Sequence, residues 1–266
     1  MIGVIIGDIV GSKYEFNNIK SKNFILFQPD MFFTDDTVMT VAVFDALLSC
    51  KGNFEKLSEK TVKFMQKYGK KYPAHGNFGY GQMFNNWLLS KNPKPYNSYG
   101  NGSAMRVSAV PYFAKNLEEV KILSKKVTEV THNHEEGIKG AEATAVAIYL
   151  ALHGASKEQI KKEIEDNYYS LDFTYSSLKE SYNYKVSCQG TVPQAIFCFL
   201  ISNSFEDAIR TGISIGGDSD TLCAIVGSIA EAFYIIPNEI KIKAESYLDK
   251  FLLKKVKKFQ KIFKKS

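Results

Sequence analysis

The chain has 266 residues, of which 45% are hydrophobic and 23% charged, a composition typical of a globular protein with a large core. The net charge of +6 comes from the C-terminal end, because residues 250–266 hold eight lysines and no acid. The rest of the chain is therefore acidic by two charges, which argues against a nucleic-acid-binding body. The four cysteines form no metal-type pair and are too sparse for a disulfide scaffold. With no apolar run of membrane-spanning length and no basic signal segment, these features predict a cytoplasmic protein.

The first twelve residues are consistent with two structures. Their valines and isoleucines favour a strand, whereas Gly3, Gly7 and Gly11 recur every fourth residue and would give a helix one smooth face for close packing. Asp8 and Glu15 are seven residues apart and would share a face of one continuous helix. The residue pattern alone favours a solvated surface acid for Glu15.

Two acidic helix starts contain the strongest candidates for chemistry. In the first, Asp35 and Asp36 stand between two threonines and precede a largely apolar helix. In the second, two glycines make a tight turn, and Asp218 and Asp220 follow at alternate positions before an apolar run. Each start alone has the ordinary chemistry of a helix N-terminus. Together they present four carboxylates, whose repulsion in a desolvated cleft a pair of divalent cations would cancel, and oxygen ligands favour Mg²⁺ or Mn²⁺.

A loop rich in Gly and Asn covers residues 101–106. Its small residues allow close backbone approach, and a helix start here would point N–H groups outward, which suits a phosphate. As a single motif it is equally consistent with an ordinary loop, and Arg106 is equally suited to pairing with a structural acid. In the aromatic segment 75–81, a loop hydrogen bond is a commoner role for His75 than ligation. His132 and His134 could be ligands, but capping or loop roles are commoner for them.

The rest of the chain predicts further helices, in one domain of residues 1–266. Residues 54–71 predict a basic amphipathic helix, residues 168–185 resist assignment, and residues from about 238 predict a basic C-terminal helix with an apolar stripe among lysines. Further helix starts are predicted, from capping residues or an N-terminal proline, at Asn116, Ser156, Pro193 and Ser204.

These motifs resemble the ADP-ribosylglycohydrolase family, which includes the dinitrogenase reductase-activating glycohydrolases. The resemblance covers nearly the whole chain, and five separated motifs in the family's order are far more specific than any one of them. It implies an all-α fold, a compact orthogonal helical bundle, in which the first twelve residues are helical. The matching motifs are Gly7, Asp8 and Gly11 with Glu15; Thr34, Asp35, Asp36 and Thr37; residues 101–106; Thr131, His132 and His134; and residues 216–221.

The resemblance also implies a binuclear Mg²⁺ site, with Mn²⁺ as an alternative ion, and a loop that holds the diphosphate of ADP-ribose. Glu15 would lie on or beside a mobile flap that closes on the substrate. The implied catalytic residues are Glu15, Asp35 and Asp220. The implied metal ligands are Thr34, Asp35, Asp36, Asp218, Asp220 and Thr221. The implied substrate-binding residues are Asn101, Gly102, Ser103, Met105, Arg106 and His132.

Two roles stay open within the resemblance. Many members have proline after the second histidine of the Thr-His motif, where this chain has Glu135, which weakens a specific role for His134. The aromatic residue that stacks on adenine is not identified by a motif, so Phe78, Tyr80 and Tyr99 are candidates.

The implied reaction is Mg²⁺-dependent hydrolysis of the glycosidic bond of an ADP-ribosyl group, with Glu15 or a metal-linked aspartate managing the proton. A first alternative is the same chemistry on small conjugates such as O-acetyl-ADP-ribose. A second is a non-catalytic, crystallin-like or ADP-ribose-binding protein, against which the intact acids argue. A third, from the residues alone, is a two-metal phosphoesterase, whose turnover would release AMP. We expect a monomer that acts on an ADP-ribosylated protein, nucleic acid or small molecule.

Overall fold

A computed structural model of the chain describes residues 1–74 and 79–263, and it confirms the all-α prediction. Within these residues the one bridge between extended segments joins Gly100 and Ser187. No helix in this part of the chain is both long and apolar enough to cross a membrane. The helices of the described residues are α1 (Ile2–Ser12), α2 (Asp35–Ser49), α3 (Leu57–Lys71), α4 (Gln82–Leu89), α5 (Leu117–Thr128), α6 (Glu135–Leu152), α7 (Lys157–Asn167), α8 (Tyr175–Ser181), α9 (Cys188–Leu200), α10 (Phe205–Ile215), α11 (Ser219–Phe233), α12 (Asn238–Glu245) and α13 (Lys250–Ile262).

The centre of the bundle is the contact between α1 and α11. Every residue of α1 is buried, so the first twelve residues form a buried helix and not a strand. Gly3, Gly7 and Gly11 face α11, and a Cβ on Gly3 would collide with the backbone of Gly227. The glycine spacing therefore lets two helix backbones approach closely, as the pattern predicts. This packing fixes the C-terminal end of α1, and with it Glu15, beside the N-terminus of α11.

The turn before α11 requires glycine at two positions. Gly216 and Gly217 have φ angles of 74° and 85°, in the left-handed region that other residues rarely adopt. A Cβ on Gly217 would also collide with the ring of Tyr182. The turn follows the end of α10 at Ile215 and precedes the start of α11 at Ser219. It brings the acidic start of α11 against α1.

Several predicted helix starts are confirmed by their capping hydrogen bonds. Asn116, Ser156 and Ser204 each accept a hydrogen bond from the backbone N–H three residues further on. Ser156 and Gln159 form a complete capping box. Local side-chain chemistry is therefore sufficient to start these helices.

Two stretches of the second half differ from the prediction. α9 begins at Cys188, so Pro193 lies inside the helix and not in its first turn. The reason is a tertiary contact, because the Cys188 N–H donates to the Tyr99 carbonyl at 2.8 Å and sets an earlier start. The segment 168–185, which resisted assignment, contains the short helix α8.

The C-terminal region is two helices where one was predicted. α12 ends at Glu245 and α13 begins at Lys250, because the Asp249 carboxylate accepts hydrogen bonds from the N–H groups of Phe251 and Leu252, each at 2.8 Å. The apolar stripe of α13 docks on the bundle, and its lysines are mostly exposed. The buried residues of that stripe are Leu252, Val256 and Phe259.

Candidate active site

A cavity of about 550 Å³ opens where the N-termini of α2 and α11 meet the 96–106 loop. Tyr184 and Val186, from the segment before α9, line it, as do Met83 and Phe84 of α4. The cavity brings together most of the residues that the sequence singled out, which are Glu15, Thr34, Asp35, Asn101, Gly102, Met105, Arg106, His132, Asp218, Asp220 and Thr221.

The floor of the cavity is formed by Asp35, Asp218 and Asp220, and further acids lie close to it. Carboxylate oxygens of Asp8, Asp36 and Asp220 lie within 4.8 Å of one another, and so do those of Glu15, Asp218 and Asp220. Asp220 belongs to both groups, so the two predicted helix starts do converge. Asp36 is buried just behind the lining residues of the cavity.

A threonine hydroxyl orients the Asp36 carboxylate. The Thr34 hydroxyl has one proton, which it donates to Asp8 Oδ1 at 2.7 Å, and the Thr221 hydroxyl donates to Asp36 Oδ2 at 3.2 Å. The other oxygen, Oδ1, is buried and accepts no hydrogen bond from the described residues. A buried carboxylate oxygen without a partner costs free energy, which a bound cation would offset.

Asp8 has a role that the sequence analysis missed. It accepts hydrogen bonds from the backbone N–H and the hydroxyl of both Thr34 and Thr37. Both of its oxygens are therefore occupied, although its proximity to Asp36 and Asp220 alone would suggest a metal ligand. Asp8 anchors the start of α2 on α1. In the sequence, its place in the glycine motif of α1 is the feature that indicates a special role.

Asp218 is oriented from the 101–106 loop. The Asn101 amide donates to Asp218 Oδ2 at 2.7 Å and to the Thr191 hydroxyl at 3.1 Å. Asn101 lines the cavity, and its side chain holds the Asp218 carboxylate in place. This hydrogen bond connects the 101–106 loop to the acid cluster.

The acids repel one another, and their donor set fits a hard divalent cation. Burial, followed by the charge of Asp220, raises the pKa of Asp35, Asp36 and Asp218 well above the usual range. The same two causes raise the pKa of Glu15 to about 7. Carboxylate and hydroxyl oxygens are the ligands of Mg²⁺ and Mn²⁺, and the unpartnered Oδ1 of Asp36 gives such an ion an oriented donor.

Arg106 brings a buried positive charge to the cavity wall. Its Nη2 donates to the Thr131 hydroxyl at 2.6 Å, and its guanidinium lies 5.6 Å from the centre of the Phe84 ring. No carboxylate of the described residues forms an ion pair with Arg106, so pairing with a structural acid is not its role there. Burial lowers the pKa of Arg106 to about 10, which leaves it charged at neutral pH. Burial, followed by the charge of Arg106, lowers the pKa of His132 well below its usual range, so its imidazole is neutral.

Ser103 and His134 lie apart from the cavity. Ser103 is fully buried and its hydroxyl donates to the Gly137 carbonyl at 2.8 Å, so its side chain holds the loop against α6. His134 caps α6, because its Nδ1 accepts the Glu136 N–H at 3.1 Å. The capping role is thus confirmed for this histidine.

The aromatic residues around the cavity were only partly predicted. Tyr80 lines the cavity, whereas Tyr99 does not. Phe78 and His75 lie outside the described residues. Tyr96 also lines the cavity, and no motif distinguishes it in the sequence.

Glu15 lies at the rim of the cavity, three residues beyond the end of α1. Its carboxylate accepts a hydrogen bond from the Tyr184 hydroxyl at 3.2 Å. The ring of Tyr184 stacks with that of Phe16, with centroids 6.1 Å apart. Glu15 is therefore a partly buried member of the site rather than a solvated surface acid, and it is not on one continuous helix with Asp8.

Comparison with known proteins identifies the family. Residues 1–248 match the family model for ADP-ribosylglycohydrolases, and the chain belongs to this family of glycoside-cleaving enzymes. The human ADP-ribosylhydrolase ARH3 is 27% identical over 100% of this chain and 93% of its own length. The ADP-ribosylarginine hydrolase Tri1 of Pseudomonas putida (strain GB-1) is 25% identical over 88% of this chain and 69% of its own. A solved ADP-ribosylglycohydrolase-related protein complex has the same fold, with a TM-score of 0.64, 20% identity and coverage of 91% of this chain and 93% of its own.

Proposed function

We propose that this protein hydrolyses the glycosidic bond that joins ADP-ribose to an acceptor, in a reaction that requires Mg²⁺. The main supporting observation is that one cavity contains both a carboxylate cluster and a buried guanidinium. ADP-ribose needs both, because its diphosphate requires positive charge and its ribose hydroxyls suit hard cations. The names of ARH3 and Tri1 describe ADP-ribosyl and ADP-ribosylarginine hydrolysis, which supports the same reaction here.

The floor residues would hold two divalent cations. Asp36 and Asp218 are oriented for this in advance, by the Thr221 hydroxyl and by the Asn101 amide respectively. When bound, the cations supply positive charge that orients the ribose hydroxyls and lowers the pKa of an attacking water. Mn²⁺ suits the same oxygen donors. The residues that would hold the ions are Thr34, Asp35, Asp36, Asp218, Asp220 and Thr221.

The protein's own groups would bind the remainder of the substrate and manage the proton. Arg106 and the 101–106 loop that carries it would bind the diphosphate. Glu15 is beside Asp218 and Asp220, so it is placed to take a proton from the attacking water or to give one to the leaving group, while an oxocarbenium-like transition state develops at the anomeric carbon. Asp35 and Asp220 line the same cavity and are the alternative proton carriers.

The test is turnover on a panel of ADP-ribose conjugates. Peptides with ADP-ribose on arginine or serine, ADP-ribosylated nucleic acid and O-acetyl-ADP-ribose would each be incubated with Mg²⁺, with Mn²⁺, or with excess chelator. We expect release of intact ADP-ribose from at least one conjugate, and loss of that release in chelator. Release of AMP would instead indicate a phosphoesterase. Binding of ADP-ribose without any turnover would indicate a non-catalytic member and would contradict the proposal.

A further inference from the structure

Tyr184 contacts the group that the proposed function assigns to proton transfer. The Glu15 carboxylate accepts the Tyr184 hydroxyl at 3.2 Å. A glutamate side chain has several rotatable bonds, and ordering it at a cavity rim costs entropy that a hydrogen bond offsets. The orientation of Glu15 therefore depends on a partner as well as on the fold.

The backbone of Glu15 is held separately from its side chain. The Asn18 amide donates to the Gly217 carbonyl at 2.9 Å and to the Tyr14 carbonyl at 2.5 Å, in the peptide group that joins Tyr14 to Glu15. The Gly217 N–H donates back to Asn18 Oδ1 at 2.7 Å. These bonds fix the backbone to the turn before α11, so the position of the carboxylate within the cavity is left to Tyr184.

Tyr184 is fixed from two directions. Its ring stacks with that of Phe16. The chain just after it is bonded to the substrate loop, because the Asn101 N–H donates to the Val186 carbonyl at 2.8 Å. Asn101 in turn holds Asp218 at 2.7 Å. A short path of contacts thus connects the acid floor, the substrate loop and the Glu15 carboxylate.

We propose that Tyr184 is a positioning residue, whose hydroxyl holds the Glu15 carboxylate towards the acid cluster and ties its position to the 101–106 loop. The inference rests on the proposed function, in which Glu15 moves the proton. Tyr184 acts through Glu15 and needs no contact with the reacting atoms. Its effect belongs to the chemical step and not to the binding of ADP-ribose, since the phosphates are bound elsewhere in the cavity.

The test is a double-mutant cycle of Tyr184→Phe and Glu15→Gln. Tyr184→Phe keeps the ring and its stacking on Phe16 and removes only the hydroxyl. We expect the single-turnover rate constant for ADP-ribose release to fall about 10- to 100-fold, since small misplacements of a catalytic group have effects of this order. The Kd for ADP-ribose, measured by calorimetry, should stay within about two-fold of wild type. In the Glu15→Gln background, Tyr184→Phe should slow the reaction further by less than about two-fold, because both changes act on one group.

Tyr168→Phe is the matched control. The Tyr168 hydroxyl donates to Glu142 Oε1 at 2.7 Å, so the chain contains a second tyrosine–glutamate pair, whose members do not line the cavity. Removing that hydroxyl should leave the single-turnover rate at the wild-type value. Equal slowing by Tyr168→Phe would mean that loss of any tyrosine–glutamate hydrogen bond slows the reaction. That result overturns the positioning role of Tyr184.

The outcomes separate this inference from the function on which it rests. A wild-type rate in Tyr184→Phe overturns the inference. An equal fall in rate on adding Tyr184→Phe to wild type and to Glu15→Gln overturns it as well. Full activity in Glu15→Gln removes Glu15 and Tyr184 from the mechanism but leaves the hydrolase function standing. A wild-type protein that releases no ADP-ribose from any conjugate overturns both.

Discussion

The floor and the rim of the cavity are built in different ways. The floor acids lie at the N-terminal ends of α2 and α11, where Asp8 holds the start of α2 and the Asn101 amide holds the Asp218 carboxylate. The rim consists of Glu15, Phe16 and Tyr184, which lie outside the helices. Phe16 is 74% exposed, and one hydrogen bond of 3.2 Å joins Glu15 to Tyr184. The groups proposed to hold the cations are thus at helix N-termini, and the rim groups are on the segments between helices.

The two regions also differ in what they cost the fold. Clustered buried carboxylates are expensive in the absence of cations, because each is desolvated and repelled by its neighbours. The rim is partly solvated, and changes there have small effects on stability. Substitutions at the floor should therefore alter metal binding and activity together, whereas substitutions at the rim should alter the rate alone.

Asp220→Asn should have the largest effect. Asp220 belongs to both acid groups, and the amide keeps its shape while it removes the charge that attracts cations. We expect turnover to be abolished and Mg²⁺ affinity to fall, with the helical circular dichroism spectrum and a cooperative melt retained. Asp166→Asn, an exposed aspartate on α7, is the control and should behave as wild type. Undiminished turnover of Asp220→Asn, or of wild type in excess chelator, would contradict the metal site.

Glu15→Gln should have the next largest effect, and it should be confined to the rate. The amide keeps the size of the side chain and removes its basicity, so kcat should fall on the order of 10²–10⁴-fold, as for a general acid–base group. The Kd for ADP-ribose should change little, and the free energy of unfolding should not fall, because the amide removes a charge that burial and Asp220 disfavour. Single-turnover kinetics and calorimetry measure the two quantities. A near-wild-type kcat would mean that Asp35 or Asp220, and not Glu15, carries the proton.

The floor could be predicted from the sequence because each part of it is a local motif. An acid in the first turn of an apolar helix is recognisable without knowledge of its neighbours, as Asp35 and Asp220 illustrate. The stripe of α13 was likewise predicted from its periodicity. The residues alone leave open whether the first twelve residues are a strand or a helix. The answer depends on a tertiary contact, because their glycines pack against the small residues of α11.

The rim could not be predicted in the same way. Tyr184 contacts Glu15 across 169 residues, and it lies in a stretch with no periodicity or cap. The start of α9 was misplaced at Pro193 for a related reason, because a bond from Cys188 to a distant loop decides it. Asp8 was seen as part of a motif, but its hydrogen bonds to α2 depend on tertiary packing. Contacts between distant segments have no local signature.

α13 tests whether the cavity depends on packing at a distance. Truncation after Asp249 removes three buried apolar side chains, each of which stabilises by about 1.5–3 kcal/mol, so a clear loss of Tm is expected. Phe259→Ala is the milder variant and should cost about 3–5 kcal/mol. The kcat of the folded protein at low temperature should be unchanged, because no residue of α13 lines the cavity. Lys254→Ala, at an exposed position, is the control. An unchanged Tm after truncation would contradict the docking of α13.

The smallest expected effect is a pH-dependent response of stability to Mg²⁺. Burial and the charge of Asp220 raise the pKa of Asp8 and of Glu15 to about 7, from values of about 4 in the unfolded chain. Between those values the metal-free native protein binds more protons than the unfolded chain, so its unfolding free energy falls as pH rises from about 5 to about 7. Bound cations replace the protons and remove this loss.

The increase in Tm on adding Mg²⁺ should therefore be a few degrees at about pH 8 and smaller at about pH 5.5. The measurement is a pair of melts at each pH, one with saturating Mg²⁺ and one with chelator. Asp220→Asn is the control, because it lowers both the repulsion among the carboxylates and the affinity for Mg²⁺. The increase in its Tm on adding Mg²⁺ should be near zero at both pH values. An equal increment for wild type at the two pH values would mean that Mg²⁺ binds away from the carboxylates, since only an ion that competes with their protons has an affinity that follows their titration.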